Sequence, residues 1–177
     1  MIYEDLLLAI LRVVIGVLFA AHGAQKLFGW FGGPGFDGHT KAIASLGLRP
    51  ASLWAFLSAV GESLGGVLLA LGLLTPVASA VLIGVMLVAI LRVHWDKGLW
   101  NANGGYEYNL VLLITSFVLG ALGPNAYALD QHISLPWPHQ TVYLVSLVVS
   151  IVLALLAVVT ARPTAHTTGS EQQRATA

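Results

Sequence analysis

Residues 54–74 read WAFLSAVGESLGGVLLALGLL, an apolar run that contains a single charged residue, Glu62. The run is long enough to cross a bilayer as a helix, because its 21 residues rise about 31 Å and the hydrocarbon core is about 30 Å thick. Thr75-Pro76 follows and has the pattern of an N-cap and first helical residue. The stretch therefore predicts a tight turn and an antiparallel pair of membrane helices.

Four other apolar runs extend this pattern along the chain. Residues 6–21 are interrupted only by Arg12, and residues 141–161 contain no charge. All seven prolines lie outside the runs, where a helix can end. One or two helical turns within 40–46 are also compatible with the sequence. Membrane helices are expected at about residues 5–22, 54–74, 76–93, 106–122 and 141–161.

The composition agrees with a membrane protein and excludes several functional classes. Of the 177 residues, 57% are hydrophobic and only 9% are charged, whereas soluble domains carry about 25% charged residues. Eight basic residues balance eight acidic ones, which argues against a nucleic-acid-binding module. The absence of cysteine excludes disulfide exchange, thiolate zinc sites and cysteine-held iron–sulfur clusters. We predict an all-α polytopic membrane helix bundle.

The two ends of the chain differ in character. The acidic start and the charge at Arg12 favour a retained helix over a cleaved signal peptide. Residues 163–177 are polar and rich in Thr and Ser, and we expect them to be a disordered tail.

The distribution of basic residues predicts the orientation in the membrane. With five helices, the first and third loops and the tail share one side. That side collects seven basic residues, namely Lys26, Lys41, Arg49, Arg92, Lys97, Arg162 and Arg174. Because basic residues near helix ends stay in the cytoplasm, the N-terminus should lie outside a bacterial inner membrane and the tail inside.

Arg12 and Glu62 are charges inside predicted spans. Counted from His22 and Trp54, both lie about 12–15 Å from the cytoplasmic boundary. A lone charge at that depth costs about 2.5–3.5 kcal/mol, so the sequence predicts an Arg12–Glu62 ion pair facing the bundle interior. Such a pair either fixes helix packing or forms a ligand-binding or proton-relay site.

Small residues predict where two helices approach closely. Gly61 and Gly65 have the spacing of a small-xxx-small motif, and Gly66 follows directly. Gly16 and Ala20 provide a matching small ridge on the first helix. The first helix and the 54–74 helix should therefore pack tightly together.

Other polar residues collect near the predicted cytoplasmic ends of the helices. His22 and His94 on different helices suggest a bis-histidine haem, but neither lies deep in its span, which disfavours it. No metal site is expected, because His22, His94, Asp96 and Glu107 have no recognisable metal-ligand spacing. Lys26 and Trp95 join the two histidines as candidate cofactor-binding residues. An aromatic belt with snorkelling cations is the alternative explanation for this region.

The order and spacing of motifs over residues 9–130 resemble the DoxX family of small membrane proteins. The residues that carry the resemblance are Arg12 with Gly16; His22-Gly23-x-x-Lys26-Leu27; Glu62-x-x-Gly65-Gly66; Gly72-x-x-Thr75-Pro76; Met86-x-x-Ala89; His94; Tyr106-Glu107-Tyr108-Asn109-Leu110; Gly123; and Asp130. The resemblance implies a four-helix core within residues 1–130. This chain departs from the family at residues 131–162, which add a fifth, C-terminal transmembrane helix.

The resemblance also implies respiratory redox chemistry, because the family name comes from a small subunit linked to quinone reduction. We therefore predict an accessory subunit of a quinone-linked respiratory or detoxifying membrane oxidoreductase. Arg12 would donate to a quinone carbonyl, and Glu62 or Glu107 would relay protons. Its partners would be the lipid bilayer and membrane or peripheral redox proteins.

The alternative function is a non-catalytic assembly, chaperone or scaffold protein for a membrane complex. Distant members of the same family act as membrane assembly chaperones, and the uncharged fifth helix is compatible with that role. A small transporter ranks last, because the chain lacks detectable inverted repeats. The sequence specifies neither the substrate nor the oligomeric state.

Overall fold

The computed structural model describes residues 2–133 and 136–162, and the regular secondary structure in these ranges is helical, without strands. The described residues form six α-helices: α1 (Ile2–Phe28), α2 (Gly35–Ser45), α3 (Ala51–Leu71), α4 (Thr75–Ala89), α5 (Glu107–Leu122) and α6 (His139–Thr160). A π-helical turn at Ile90–His94 and a short 3₁₀ turn at Trp95–Lys97 extend α4. The predicted all-α membrane bundle is confirmed. The tail predicted to be disordered lies outside the described residues.

Within the part of the chain that the structure describes, four helical segments are long and apolar enough to span a membrane. They are Tyr3–Phe28, Ala51–Leu71, Thr75–Lys97 and His139–Thr160. The predicted span 106–122 corresponds to α5, whose 16 residues rise about 24 Å, less than a typical hydrocarbon thickness. α2 is a short helix between α1 and α3, and it begins five residues earlier than the turns predicted within 40–46.

The bundle has α4 at its centre. α4 packs against α3, α5 and α6, while α1 lies along α3. The main buried cluster joins α1, α3, α4 and α5 through Phe19, Leu69, Leu82 and Leu112. A second cluster beneath α2 includes Ile43, Leu48 and Ala157, and it fixes α2 over the ends of α3 and α6.

Small residues allow the backbones of α1 and α3 to touch, as the sequence predicts. A Cβ added to Gly16 would lie 2.5 Å from the Gly66 carbonyl oxygen, and one added to Gly66 would meet Gly16 and Ala20. Gly61 and Gly65 face Val81 and Leu82 of α4. The small-xxx-small pair therefore serves the α3–α4 contact, and the α1 contact uses the adjacent Gly66.

Thr75 is not the N-cap of α4 that the sequence predicts; that position belongs to Leu74. α3 ends at Gly72 with a left-handed φ of 64°, and Leu74 precedes the first helical residue, Thr75. The carboxylate of Asp130 accepts hydrogen bonds from the Leu74 and Thr75 N–H groups at 2.6 and 2.8 Å. The cap of α4 is thus supplied by the α5–α6 loop and not by the local threonine.

We predict that Gly66→Ala destabilises the bundle more than Gly61→Ala. The Gly66 Cβ would meet backbone atoms of α1, which cannot yield, whereas the Gly61 Cβ would lie 3.2 Å from a Val81 methyl group that can shift. Overpacking of this kind costs about 1–3 kcal/mol. Thermal unfolding in detergent measures both variants, and equal midpoints would contradict backbone contact at Gly66.

Candidate functional site

Glu62 is a buried charge whose ion partner is Lys26. Only 2% of the Glu62 side chain is exposed, and its Oε2 lies 2.6 Å from the Nζ of Lys26. Lys26 lies in the last turn of α1 and is about one quarter exposed. The predicted Arg12–Glu62 pair is therefore wrong, and the cation belongs to the opposite end of the same helix.

The register of α1 against α3 explains this correction. Gly16 meets Ala70, and Gly23 meets Ser63, so the helices run antiparallel with a fixed offset. This register places Glu62 beside residue 24 of α1, twelve residues or about 18 Å from Arg12 along the axis. The depths counted from the sequence were misleading because α1 continues six residues past His22, to Phe28.

Arg12 has its own partners in the α5–α6 loop. Its side chain is buried, its Nη1 donates to Asn125 Oδ1 at 3.1 Å, and its Nη2 donates to the Tyr127 carbonyl at 3.0 Å. The Asp130 carboxylate is near enough to interact with the guanidinium electrostatically. Arg12 and Asp130 thus hold the α5–α6 loop against α1 and the start of α4.

A groove lies over α4, between α3 and α6. It has a volume of about 310 Å³. α4 supplies its floor through Gly84 and Val88, and α3 and α6 supply walls that include Leu57 and Leu153. Since both wall leucines are about half exposed, the groove opens to the outer surface of the bundle between α3 and α6. That surface would contact lipid.

The groove is lined mainly by apolar side chains together with Ser150, and its other polar side chains lie at one end. Lys26, His39 and Ser58 line that end beneath α2, so Lys26 joins the groove to buried Glu62. His39 Nε2 lies 2.7 Å from Ser58 Oγ. Apolar pockets with a few convergent polar groups are typical ligand sites.

His39 is a site residue that sequence reasoning missed. It stands in a glycine-rich loop region with no motif to mark it, and its place in the groove depends on α2 folding over α3. Burial, and to a lesser extent the positive charge of Lys26, lowers the pKa of His39 to about 4. The imidazole is therefore neutral near pH 7.

A second polar contact joins α1 to α5. His22 Nε2 lies 3.3 Å from the Tyr108 hydroxyl of α5, and His22 Nδ1 lies 3.1 Å from Gln25 Oε1. The His22 and Tyr108 rings also meet edge to face. Because His22 is four residues before Lys26, both project from one face of α1.

The remaining candidates organise the loop between α4 and α5. Glu107 Oε2 accepts a hydrogen bond from the Asn101 N–H at 3.0 Å, and His94 Nδ1 donates to the Gly104 carbonyl at 2.6 Å. Trp95 stacks on Tyr106 with ring centroids 5.5 Å apart. None of these side chains lines the groove.

The histidines do not form a metal-binding cluster in the described parts of the chain. In residues 2–133 and 136–162, no three His, Cys, Asp or Glu residues are arranged to hold a metal ion. His22 and His94 make separate hydrogen bonds on α1 and α4.

We expect Lys26→Met to lower the free energy of unfolding by about 3 kcal/mol, because it leaves the buried Glu62 carboxylate without its partner. The double variant Lys26→Met/Glu62→Gln should recover part of this loss. Adding Glu62→Gln to Arg12→Met should not recover stability, because substitutions at distant sites change the free energy of unfolding additively. Denaturation in detergent of Lys26→Met, Arg12→Met and the combination of each with Glu62→Gln tests the pairing. If Glu62→Gln rescued Arg12→Met and not Lys26→Met, the result would support the pair predicted from the sequence.

Acidification should destabilise the protein through His39. Its pKa is 6.5 when unfolded and about 4 when folded, so the unfolded state binds more protons between these values. The stabilising contribution is full above pH 6.5 and decreases by about 2–4 kcal/mol as the pH falls towards 4. Unfolding measured across this range should be less pH-dependent in His39→Gln than in the wild type. His132→Gln, at an exposed histidine, is the control and should retain the wild-type slope.

Comparison with known proteins agrees with this architecture. The DoxX family model matches residues 7–95. A Bacillus subtilis (strain 168) protein named "Putative oxidoreductase CatD" is 31% identical over 124 residues, which cover 70% of this chain and 84% of the relative. "Uncharacterized membrane protein Rv3486" of Mycobacterium tuberculosis (strain ATCC 25618 / H37Rv) is 28% identical over 135 residues, covering 70% of this chain and 79% of the relative.

No solved structure matches the chain significantly. The family match spans half of the sequence, including α1 to α4, the Lys26–Glu62 pair and the floor of the groove. This protein therefore belongs to the DoxX family of membrane proteins.

Proposed function

We propose that the protein is an accessory subunit of a quinone-linked membrane oxidoreductase and that it binds the quinone in the groove over α4. The observation that supports the proposal is an apolar groove whose polar end lies next to a buried ion pair. The name of the Bacillus relative supports an association with redox chemistry.

The groove matches the chemistry of a quinone. A quinone has an apolar tail, carbonyl oxygens that accept hydrogen bonds, and a need for protons when it is reduced. The tail would lie along Val85 and Val88 and leave between Leu57 and Leu153, while the ring would lie beneath α2. The volume is at the lower end of the range for small-molecule sites, which suits one ring with the tail extending into lipid.

The polar residues would have separate roles at the quinone ring. Lys26 Nζ would donate a hydrogen bond to one carbonyl oxygen, and Glu62, which holds that ammonium group, would supply protons. This replaces the donor role first predicted for Arg12. Electrons would come from a redox partner protein, since the sequence shows no electron-carrying site of its own.

The proposal includes an orientation. Lys26, Arg92 and Arg162 lie at the same end of the bundle. There Arg92 donates a hydrogen bond to the Leu46 carbonyl, and the Arg162 N–H donates one to the Gly47 carbonyl. By the positive-inside tendency, this end would face the cytoplasm of a bacterial inner membrane. The groove's polar end would then lie near the cytoplasmic surface.

Filling the groove tests the proposal. Val88→Phe places a ring on its floor, and Val111→Phe adds the same ring to an exposed face of α5 as a control. In nanodiscs, Val88→Phe and Glu62→Gln should each raise the Kd for ubiquinone at least about tenfold, a change of about 1.4 kcal/mol. Val111→Phe should bind like the wild type.

A lipid extract of the gently purified protein gives a second measurement. It should contain quinone for the wild type and less for Val88→Phe. An extract without quinone, together with unchanged binding in Val88→Phe and Glu62→Gln, would overturn the proposal. A stoichiometric membrane partner recovered under those conditions would favour the assembly or scaffold function instead.

A further inference from the structure

We propose that His39 makes the groove selective for the reduced form of its ligand, so that a quinol binds more tightly than the corresponding quinone. This inference rests on the proposed function for the identity of the ligand as a quinone. The selectivity itself is argued from the hydrogen-bonding groups that α1, α2 and α3 bring to the polar end of the groove.

Two residues of α3 hold the polar groups at that end. Ser58 and Glu62 are four residues apart, so their Cβ atoms lie about 5–6 Å apart on one face of the helix. Ser58 Oγ contacts His39 Nε2 of α2 at 2.7 Å, and Glu62 Oε2 contacts Lys26 Nζ of α1 at 2.6 Å. His39 and Lys26 are therefore held side by side, and both line the groove.

The hydrogen bonds of Ser58 determine which nitrogen of His39 carries the proton. A serine hydroxyl has one hydrogen to donate and two lone pairs that accept. The Ser58 hydroxyl donates to the Ala55 carbonyl at 3.1 Å, so at the 2.7 Å contact it accepts, and His39 Nε2 is the donor. The opposite assignment would leave lone pairs of the Ser58 and Ala55 oxygens facing each other. In the neutral imidazole, the other nitrogen, Nδ1, is then a hydrogen-bond acceptor.

The Nδ1 lone pair of His39 is available to a ligand. Nδ1 has no hydrogen-bond partner among the residues that the structure describes, and it is not fully enclosed. Near pH 7 a proton does not occupy this lone pair, because burial, and to a lesser extent the charge of Lys26, lowers the pKa of His39 to about 4. The polar end therefore offers a ligand one donor, the Lys26 ammonium group, and one acceptor, His39 Nδ1.

This combination of donor and acceptor fits a quinol hydroxyl better than a quinone carbonyl. A hydroxyl can accept from Lys26 and donate to His39 Nδ1 at the same time, whereas a carbonyl oxygen only accepts. With a quinone bound, Nδ1 would be an unsatisfied acceptor in an apolar site, which is unfavourable. One hydrogen bond of this kind corresponds to a preference of about tenfold. Such a preference would raise the midpoint potential of the bound two-electron couple by about 30 mV.

Binding of both redox forms in nanodiscs measures the selectivity. The wild type should bind ubiquinol, kept reduced under argon, about tenfold more tightly than ubiquinone. His39→Leu should abolish this preference, because it removes the acceptor and leaves Lys26 in place. His39→Gln should retain part of the preference, since the amide oxygen can accept a hydrogen bond. His132→Leu, at an exposed histidine, is the control and should keep the wild-type ratio of Kd values.

The protonation of the imidazole gives a readout that does not depend on affinity. Nitrogen-15 NMR near pH 7 should show His39 with Nε2 protonated and Nδ1 unprotonated, and the Nδ1 resonance should move when ubiquinol binds. Ser58→Ala removes the group that fixes this tautomer and should reduce the preference for ubiquinol. Ser63→Ala is the matched control on the same helix, because the Ser63 hydroxyl also donates to a backbone carbonyl, that of Ala59.

Four results would overturn the inference. Equal affinities of the wild type for the two redox forms, or a protonated Nδ1, would remove the selectivity while leaving quinone binding in the groove intact. A parallel rise of both Kd values in His39→Leu would show that His39 only supports the shape of the groove. Failure of the wild type to bind either form would overturn the proposed function together with the inference.

Discussion

The close contact between α1 and α3 is the constraint on which the rest of the structure depends. Gly16 and Gly66 bring the two backbones together, and any side chain at either position would collide with main-chain atoms. Because backbone cannot move aside as a side chain can, the register of the two helices is fixed. That register places Lys26 beside Glu62 and leaves Arg12 about 18 Å away.

The two buried charges consequently serve opposite ends of the bundle. Arg12 holds the α5–α6 loop through Asn125 and Tyr127, and Asp130 of the same loop caps α4. Glu62 is held by Lys26 next to the groove. Each charge has partners that offset part of its desolvation, so one polar cluster stabilises the loop and the other is available for chemistry.

The groove exists because α4 contacts both α3 and α6 and α2 covers one end. Its apolar length and polar end underlie the proposed quinone site. Glu62 is buried and paired with Lys26, which lines the polar end of the groove. The proposed site therefore depends on Glu62 of α3, while the shape of the groove depends on the neighbouring helices.

The sequence by itself determined the membrane helices, the use of small residues between α1 and α3, and the presence of a charged residue, Glu62, inside an apolar helix. These features are local, since apolar length, small-residue spacing and an isolated charge can be read from neighbouring positions. Only the tertiary structure decided which cation pairs with Glu62, that Asp130 caps α4, and that His39 lies in the groove. Each of these depends on how far helices extend and on their mutual register. A shift of a few residues along a helix moves a side chain by several ångströms. That distance decides whether two charges form an ion pair.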